Sequence, residues 1–282
     1  MGCHGRVNRG YDAGMNELTS LLEFVAPASH EPLVRRGGAL VGARPGRVYP
    51  VRADWIDFLP DEPPPGGNVL HALMHLPVMS SAYEQLRRAP LEGAAASARA
   101  RRRANAMWAA EQLAAVGGVV ADVACGTGEV GVASARRGGV ARVLCIDRAE
   151  PMLAHCVRRL ERGGPRSPVT LVRADARQLP LRAAALDAAH VHIGPAMWRH
   201  GSAIFKELSR VIRPHGRLFV TGAPRARVLD GRRPRMVLEW TAGVSAPAPE
   251  RITELLAALD VEVPGERTVV VDDRVRLELV KR

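Results

Sequence analysis

Val119-Val120-Ala121-Asp122-Val123-Ala124-Cys125-Gly126-Thr127-Gly128-Glu129-Val130-Gly131 is the stretch on which the reading of this chain turns. A short apolar run ending in glycines one residue apart reads as a buried strand entering a tight turn. The turn opens a helix expected over residues 129–137. Glycine lets backbone approach a ligand closely, because no Cβ stands in the way. The spacing Gly126-x-Gly128-x-x-Gly131 fits the dinucleotide fingerprint, which on its own is a weak signal. Asp122 sharpens it. A carboxylate at that turn would repel a pyrophosphate and suits a ligand carrying an ammonium or a sulfonium.

Outward from this turn, short apolar runs alternate with helical stretches, the pattern of a parallel sheet with crossovers. Val143-Leu144-Cys145-Ile146 ends in Asp147, roughly twenty residues past the glycines, where a carboxylate accepts ribose hydroxyls. Val169 to Arg173 is followed by Ala174-Asp175-Ala176. A fourth strand spans Ala185 to Val191 and runs into His192-Ile193-Gly194-Pro195. A helix over Ser202–Ile212 precedes a fifth strand, Arg217 to Thr221. Thr268 to Val271 and Val275 to Val280 flank a hairpin after an amphipathic helix from Glu250 to Leu259.

These residues together resemble the class I S-adenosylmethionine (SAM) methyltransferases. The glycine turn looks like their motif I, and three acids, Asp122, Asp147 and Asp175, end consecutive strands. Leu208-Ser209-Arg210-Val211-Ile212-Arg213-Pro214-His215-Gly216 is similar to the signature before their fifth strand, departing at His215, where glycine is usual. The nearest likeness is to the type 11 methyltransferases, which include enzymes of ubiquinone and menaquinone synthesis. The resemblance covers residues 69–282. It implies an α/β, Rossmann-like fold with a mostly parallel seven-stranded sheet and an antiparallel last strand. It also implies SAM as cofactor, held by Asp122, Ala124, Cys125, Gly126, Gly128, Asp147, Arg148, Met152, Asp175, Ala176 and His192. Asp175 would receive the adenine amino group and the Ala176 amide a ring nitrogen. Helices over residues 69–116 would form a lid, with Tyr83, Arg87, Trp108 and, beyond the fourth strand, Trp198 toward the acceptor.

Upstream, residues 15–60 are expected as a small β extension. Phe24 to Leu33, Gly38 to Val51 and Ile56 to Pro60 look like the zinc ribbon that precedes some methyltransferase domains. Its knuckle positions are Ala26, Ser29, Gly42 and Pro45, so tetrahedral zinc has no ligands and no metal is expected. An unrelated β-hairpin extension is the other reading. Residues 1–14 read as a disordered leader, with Met15 an alternative start, and residues 61–68 as a linker.

Composition bounds the rest. The length of 282 residues, 47% hydrophobic, suits one large domain with an appendage. No run of about 18 apolar residues exists, so no membrane span is expected, and the N-terminus lacks a signal peptide's apolar core. The spacing of Cys3, Cys125, Cys145 and Cys156 implies neither a metal site nor a disulfide framework, in keeping with reduced thiols in a cytoplasm. The net charge of +11 invites a nucleic-acid partner. Yet only Lys206 and Lys281 are lysines, and abundant arginine, alanine, glycine and proline reflect GC-rich coding as readily.

Methyl transfer from a sulfonium is an in-line displacement that positioning in a dry pocket can largely drive. A base is needed only where the acceptor must lose a proton. His190 and His192 share a strand face, and His192, nearer the strand's carboxyl end, is the candidate; His200 lies further on. Ribbon-bearing relatives often carry a His-x-Trp here; Trp198 stands, but Ala196 occupies the His position. The expected function is methyl transfer to an oxygen or carbon of a small molecule. An rRNA or tRNA methyltransferase, a SAM-binding protein without methyl transfer, and an NAD-binding oxidoreductase are the competing readings. The acceptor and the oligomeric state are not legible.

Overall fold

The computed structural model describes residues 24–43, 46–61, 75–78, 81–82, 85, 93–193, 197, 200–222, 261–262, 269–271 and 274–281. Tyr83, Arg87 and Trp198 fall outside these residues, as do the expected leader, the Glu250–Leu259 helix and nearly all of the linker.

Strands β5 (Val119–Val123), β6 (Arg142–Asp147), β7 (Val169–Arg173), β8 (Leu186–Ile193) and β9 (Ile212–Gly222) form a parallel sheet in the order β7-β6-β5-β8-β9. Chain order reverses at β5, so β6 and β8 flank it and a crevice opens beyond their carboxyl ends. β12 (Arg274–Lys281) closes the far side antiparallel to β9, as expected. Two short strands, β10 (Val261–Glu262) and β11 (Val269–Val271), pair with opposite ends of β12. Since β9 takes its other edge, they share a single strand position, the seventh.

Helices α1 (Gly93–Val116), α2 (Glu129–Arg137), α3 (Glu150–Glu161) and α4 (Gly201–Val211) cover the two faces. Alternation along the strands decides which residues meet which helix. Val120, Val143, Cys145, Ala188 and Phe219 pack with Ala109, Ala110 and Leu113 of α1, Val132 of α2 and Leu153 of α3. Ala121, Val123, Leu144, Ile146, Val191 and Val220 pack with Ile204, Phe205 and Leu208 of α4.

One expectation is corrected by this layering. α1 was assigned to the lid, but its second half is a core layer. Trp108 sets its edge on the ring of Phe219 at 5.9 Å and 90°, a favoured aromatic geometry. Half-buried, it packs against the core cluster.

The N-terminal extension is a three-stranded antiparallel meander, β1 (Leu33–Arg36), β2 (Ala39–Gly42) and β3 (Tyr49–Pro50). Ala26 and Ser29 lie in a turn closed by the His30 amide on the Ala26 carbonyl at 2.9 Å. Gly42 ends β2, and Pro45 is outside the described residues. The extension is not a detached module. β4 (Ile56–Asp57) adds a parallel strand to the β7 edge, and Phe24, Leu40, Tyr49 and Phe58 join the α4-side core. Asp57, fully buried, accepts from Arg173 at 3.2 and 3.3 Å, Arg52 at 2.9 Å and the Leu59 amide at 3.0 Å.

Candidate cofactor and acceptor site

The glycine turn sits at the carboxyl end of β5 and leads into α2. Ala124, Gly126 and Gly128 hold φ of +54°, +55° and +74°, a left-handed region costly for residues with a Cβ. The Cys125 amide donates to the Ile146 carbonyl at 3.0 Å, and the Gly128 amide to the Cys125 carbonyl at 3.0 Å. The turn is thereby locked to β6.

The three glycines have different jobs. A Cβ on Gly126 would meet nothing within 4 Å. One on Gly128 would lie 2.3 Å from the Cys156 sulfur, and one on Gly131 2.4 Å from the Cys145 sulfur. Only Gly126 faces open space. The other two make room for thiols packed beneath the turn, where the neighbouring Cys145 and Cys156 thiols and burial push the Cys125 thiol pKa up. Arg159 of α3 caps the turn from outside, its Nε–H donating to the Thr127 carbonyl at 2.9 Å.

Asp122 departs from its expected role. Its carboxylate is 2% exposed. One oxygen accepts the Gly131 amide at 2.8 Å, at the start of α2, and the other the Nδ1–H of His190 at 2.8 Å. It braces the turn from below, and its burial, against the half-buried Asp147, keeps it off the open side of the turn. Anions are favoured at a helix N-terminus, so an acid here serves the fold as well as the site.

Asp147 stands at the carboxyl end of β6, one strand over. It accepts the Gly126 amide at 2.7 Å and the Ala149 amide at 2.9 Å. Burial raises its pKa to about 6, against those two amides and with help from the Asp122 charge. Asp175, after β7, is tied to Arg148 and to Arg177, whose Nη2 lies 2.6 Å from Oδ2. Burial pushes its pKa up, but the Arg177 hydrogen bonds and the charges of Arg177 and Arg148 outweigh this and hold it low. The carboxylate expected to take an adenine amino group is thus engaged by two guanidiniums; Ala176 is half-buried in the adjoining turn, and Met152 is buried in the first turns of α3.

On the other side of β5, register places His192 of β8 opposite Thr221 of β9. His192 Nδ1 lies 3.0 Å from the Thr221 hydroxyl, and His190 Nε2 lies 2.9 Å from the same oxygen. His192 is half-buried at the carboxyl end of β8. Burial, the Arg102 charge from α1 and His190 lower its pKa to about 3, so it is neutral at physiological pH. The gathering of Asp122, Ala124–Gly128, Asp147 and His192 at one sheet edge was expected. Thr221, Cys145, Cys156, Arg159 and Arg177 were missed as contributors, and His190, weighed beside His192 as a base, stands buried between Asp122 and Thr221.

This strand order, with a glycine turn at the reversal point and an antiparallel strand beside β9, defines the class I SAM-dependent methyltransferase fold. Residues 120–216 match the family of the methyltransferase domain, and the chain carries such a domain. A chloroplastic methyltransferase of Arabidopsis thaliana, itself uncharacterized, is 34% identical over 104 residues, 36% of this chain and 29% of that protein. The ubiquinone/menaquinone biosynthesis C-methyltransferase of Syntrophotalea carbinolica is 35% identical over 113 residues, 40% of this chain and 47% of that protein. The chain thus spans less than half the length of these relatives. Among solved structures, magnesium protoporphyrin IX methyltransferase from Synechocystis PCC 6803, with bound SAH, has a TM-score of 0.56 at 18% identity, covering 72% of this chain and 95% of that one. At that identity the likeness is one of fold. No helix among the described residues is long and apolar enough to cross a membrane.

Proposed function

We propose that the chain binds SAM and transfers its methyl group to an oxygen or carbon of a small-molecule acceptor. The observation that carries this reading is the pairing of Gly126 with Asp147. The Gly126 turn leaves open space above it, and the Asp147 carboxylate lies 2.7 Å from its amide, at the neighbouring strand end. In the fold these residues would hold the methionine part against the backbone of Ala124–Gly128 and the ribose hydroxyls against Asp147. Bound SAM supplies an electrophilic methyl on a sulfonium. The buried Asp122 charge beneath the turn favours that cation and disfavours the pyrophosphate of NAD.

Arg148, Met152, Asp175 and Ala176 would border the adenine. With the Asp175 carboxylate committed to Arg148 and Arg177, its part is to fix the loop that the base rests on. The C-methyltransferase named above makes carbon transfer to a quinol-like ring one candidate reaction. The ribbon-like extension, packed onto the β7 edge, serves as structure at the adenine side.

Titration calorimetry with SAM, S-adenosylhomocysteine and NAD tests the cofactor. The expected result is SAM binding that Asp147→Ala weakens at least tenfold, with no NAD binding. Absence of SAM binding, or NAD binding in its place, overturns the reading.

A further inference from the structure

Four side chains behind the site form one unbroken line. Asp122 Oδ1 is 2.8 Å from His190 Nδ1; His190 Nε2 is 2.9 Å from the Thr221 oxygen; that oxygen is 3.0 Å from His192 Nδ1. His190, Asp122 and Thr221 are each 2% exposed or less. Only His192 is half-buried, and among the described residues its Nε2 has no hydrogen-bond partner.

The line has a direction. A buried carboxylate only accepts, so His190 donates from Nδ1. Neutral His190 then offers a bare Nε2, and the Thr221 hydroxyl must donate to it. The Thr221 oxygen is left to accept from His192 Nδ1–H. His192 is thereby held in the tautomer whose Nε2 is unprotonated, at the carboxyl end of the sheet. With Asp122 ionised and both rings neutral, no other arrangement satisfies all three contacts.

We propose that this line is a proton relay, with Thr221 and His190 as positioning and proton-passing residues behind His192, and that the acceptor is a phenol or enol whose hydroxyl donates to His192 Nε2. This rests on the methyl-transfer reading above. The acceptor oxygen, or the ring or enol carbon conjugated to it, forms the new bond to the SAM methyl carbon. The carbon–sulfur bond breaks and its electron pair stays on sulfur, giving neutral S-adenosylhomocysteine. The hydroxyl proton goes to His192 Nε2, the His192 Nδ1 proton to Thr221, and the Thr221 proton to His190 Nε2. The positive charge comes to rest on His190, 2.8 Å from the Asp122 carboxylate. On carbon transfer, the keto form so produced tautomerises, the ring or enol carbon losing its proton to solvent and the oxygen taking one from solvent, so that one proton is released overall. After product leaves, the relay runs back and releases its proton to water through His192.

The relay answers a difficulty. His192 is a poor resting place for a proton, because burial and the Arg102 charge from α1 oppose its protonation. As a conduit it need not hold the charge. The groups facing it are Arg102 on α1, Thr221 on β9 and, along its own strand, His190, behind which lies Asp122 on β5.

Long-range proton–nitrogen correlation spectra of ¹⁵N-histidine-labelled full chain at pH 7 read the tautomers directly. The His192 signals are assigned by their loss in His192→Asn. The expected result is Nδ1–H with a bare Nε2 at His192 in wild type and in Thr221→Ser. Thr221→Val should show loss of that single form to a mixture. A proton on Nε2 in wild type, or a Thr221→Val spectrum unchanged from wild type, overturns the relay. If Thr221→Val fails to fold, the wild-type and Ser spectra still decide. SAM titration of the same samples is a separate readout: SAM binding with the wrong His192 tautomer keeps methyl transfer and removes the relay.

Discussion

The two sides of β5 are built by different means. Toward β6, β7 and β4, carboxylates reach back to backbone amides. Asp147 takes Gly126 and Ala149, Asp122 takes Gly131, and Asp57 takes Leu59. Toward β8 and β9, a line runs from Asp122 to His192 whose three contacts are all between side chains. A carboxylate on amides fixes where the chain runs, as binding an invariant cofactor requires. A line of exchangeable protons fixes a protonation pattern, as handling a reacting group requires.

That contrast can be broken in order of effect. Asp57→Ala is expected to cost most, about 3–5 kcal/mol, because it leaves Arg173 buried without its carboxylate. Urea unfolding measures it, and a loss under about 1 kcal/mol would mean the β4 clasp is ornamental. Gly128→Ala comes next, at about 3 kcal/mol, from a left-handed φ and a methyl placed 2.3 Å from the Cys156 sulfur.

Asp147 adds a pH signature of up to about 3 kcal/mol. Its folded pKa of about 6 exceeds the ordinary 3.8, so between these values the native state binds more protons than the unfolded one. Its contribution is present below about pH 4 and lost as pH rises to about 6. Asp147→Asn should flatten the stability profile in that window; a profile unchanged by the substitution would place the titration elsewhere. Because an ionised carboxylate accepts ribose hydroxyls more strongly than a protonated one, SAM binding in wild type should strengthen over the same interval.

On the acceptor side, Thr221→Val should cost about 1–3 kcal/mol by leaving two buried ring nitrogens without a partner. Gly126→Ala is the smallest, about 1 kcal/mol, since only its φ of +55° is strained. Yet it should reduce SAM affinity more than Gly128→Ala does per unit of lost stability. The reverse ranking, read by calorimetry, would erase the distinction between a glycine facing ligand and one facing protein.

Legibility in the sequence followed the same divide. β7 lies where its apolar run placed it, and α2 spans Glu129–Arg137 as the glycines foretold. Both are set by local pattern and turn chemistry. The fifth strand begins earlier than expected, at Ile212, because the chain passes straight from α4 through Pro214 and the left-handed His215 into pairing with β8. Asp122 was read as an acid facing ligand, and nothing in its neighbours said that a histidine 68 positions on would take its free oxygen. Trp108 misled for the same reason: helical spacing does not tell which layer a tryptophan faces, and Phe219 decides it.

The β4 clasp also bears on how the chain is made. Asp57 and Arg173 are 116 positions apart, so when residues 24–61 leave the ribosome their partner strand has yet to be synthesised. Phe24, Tyr49 and Phe58 must wait as exposed apolar surface, the state in which long-range contacts make a nascent chain prone to sticking. Their burial comes only after the central turn and β7 exist. A segment made before the sheet it joins is then among the last to dock, and its arrival closes an open strand edge that would otherwise invite another chain.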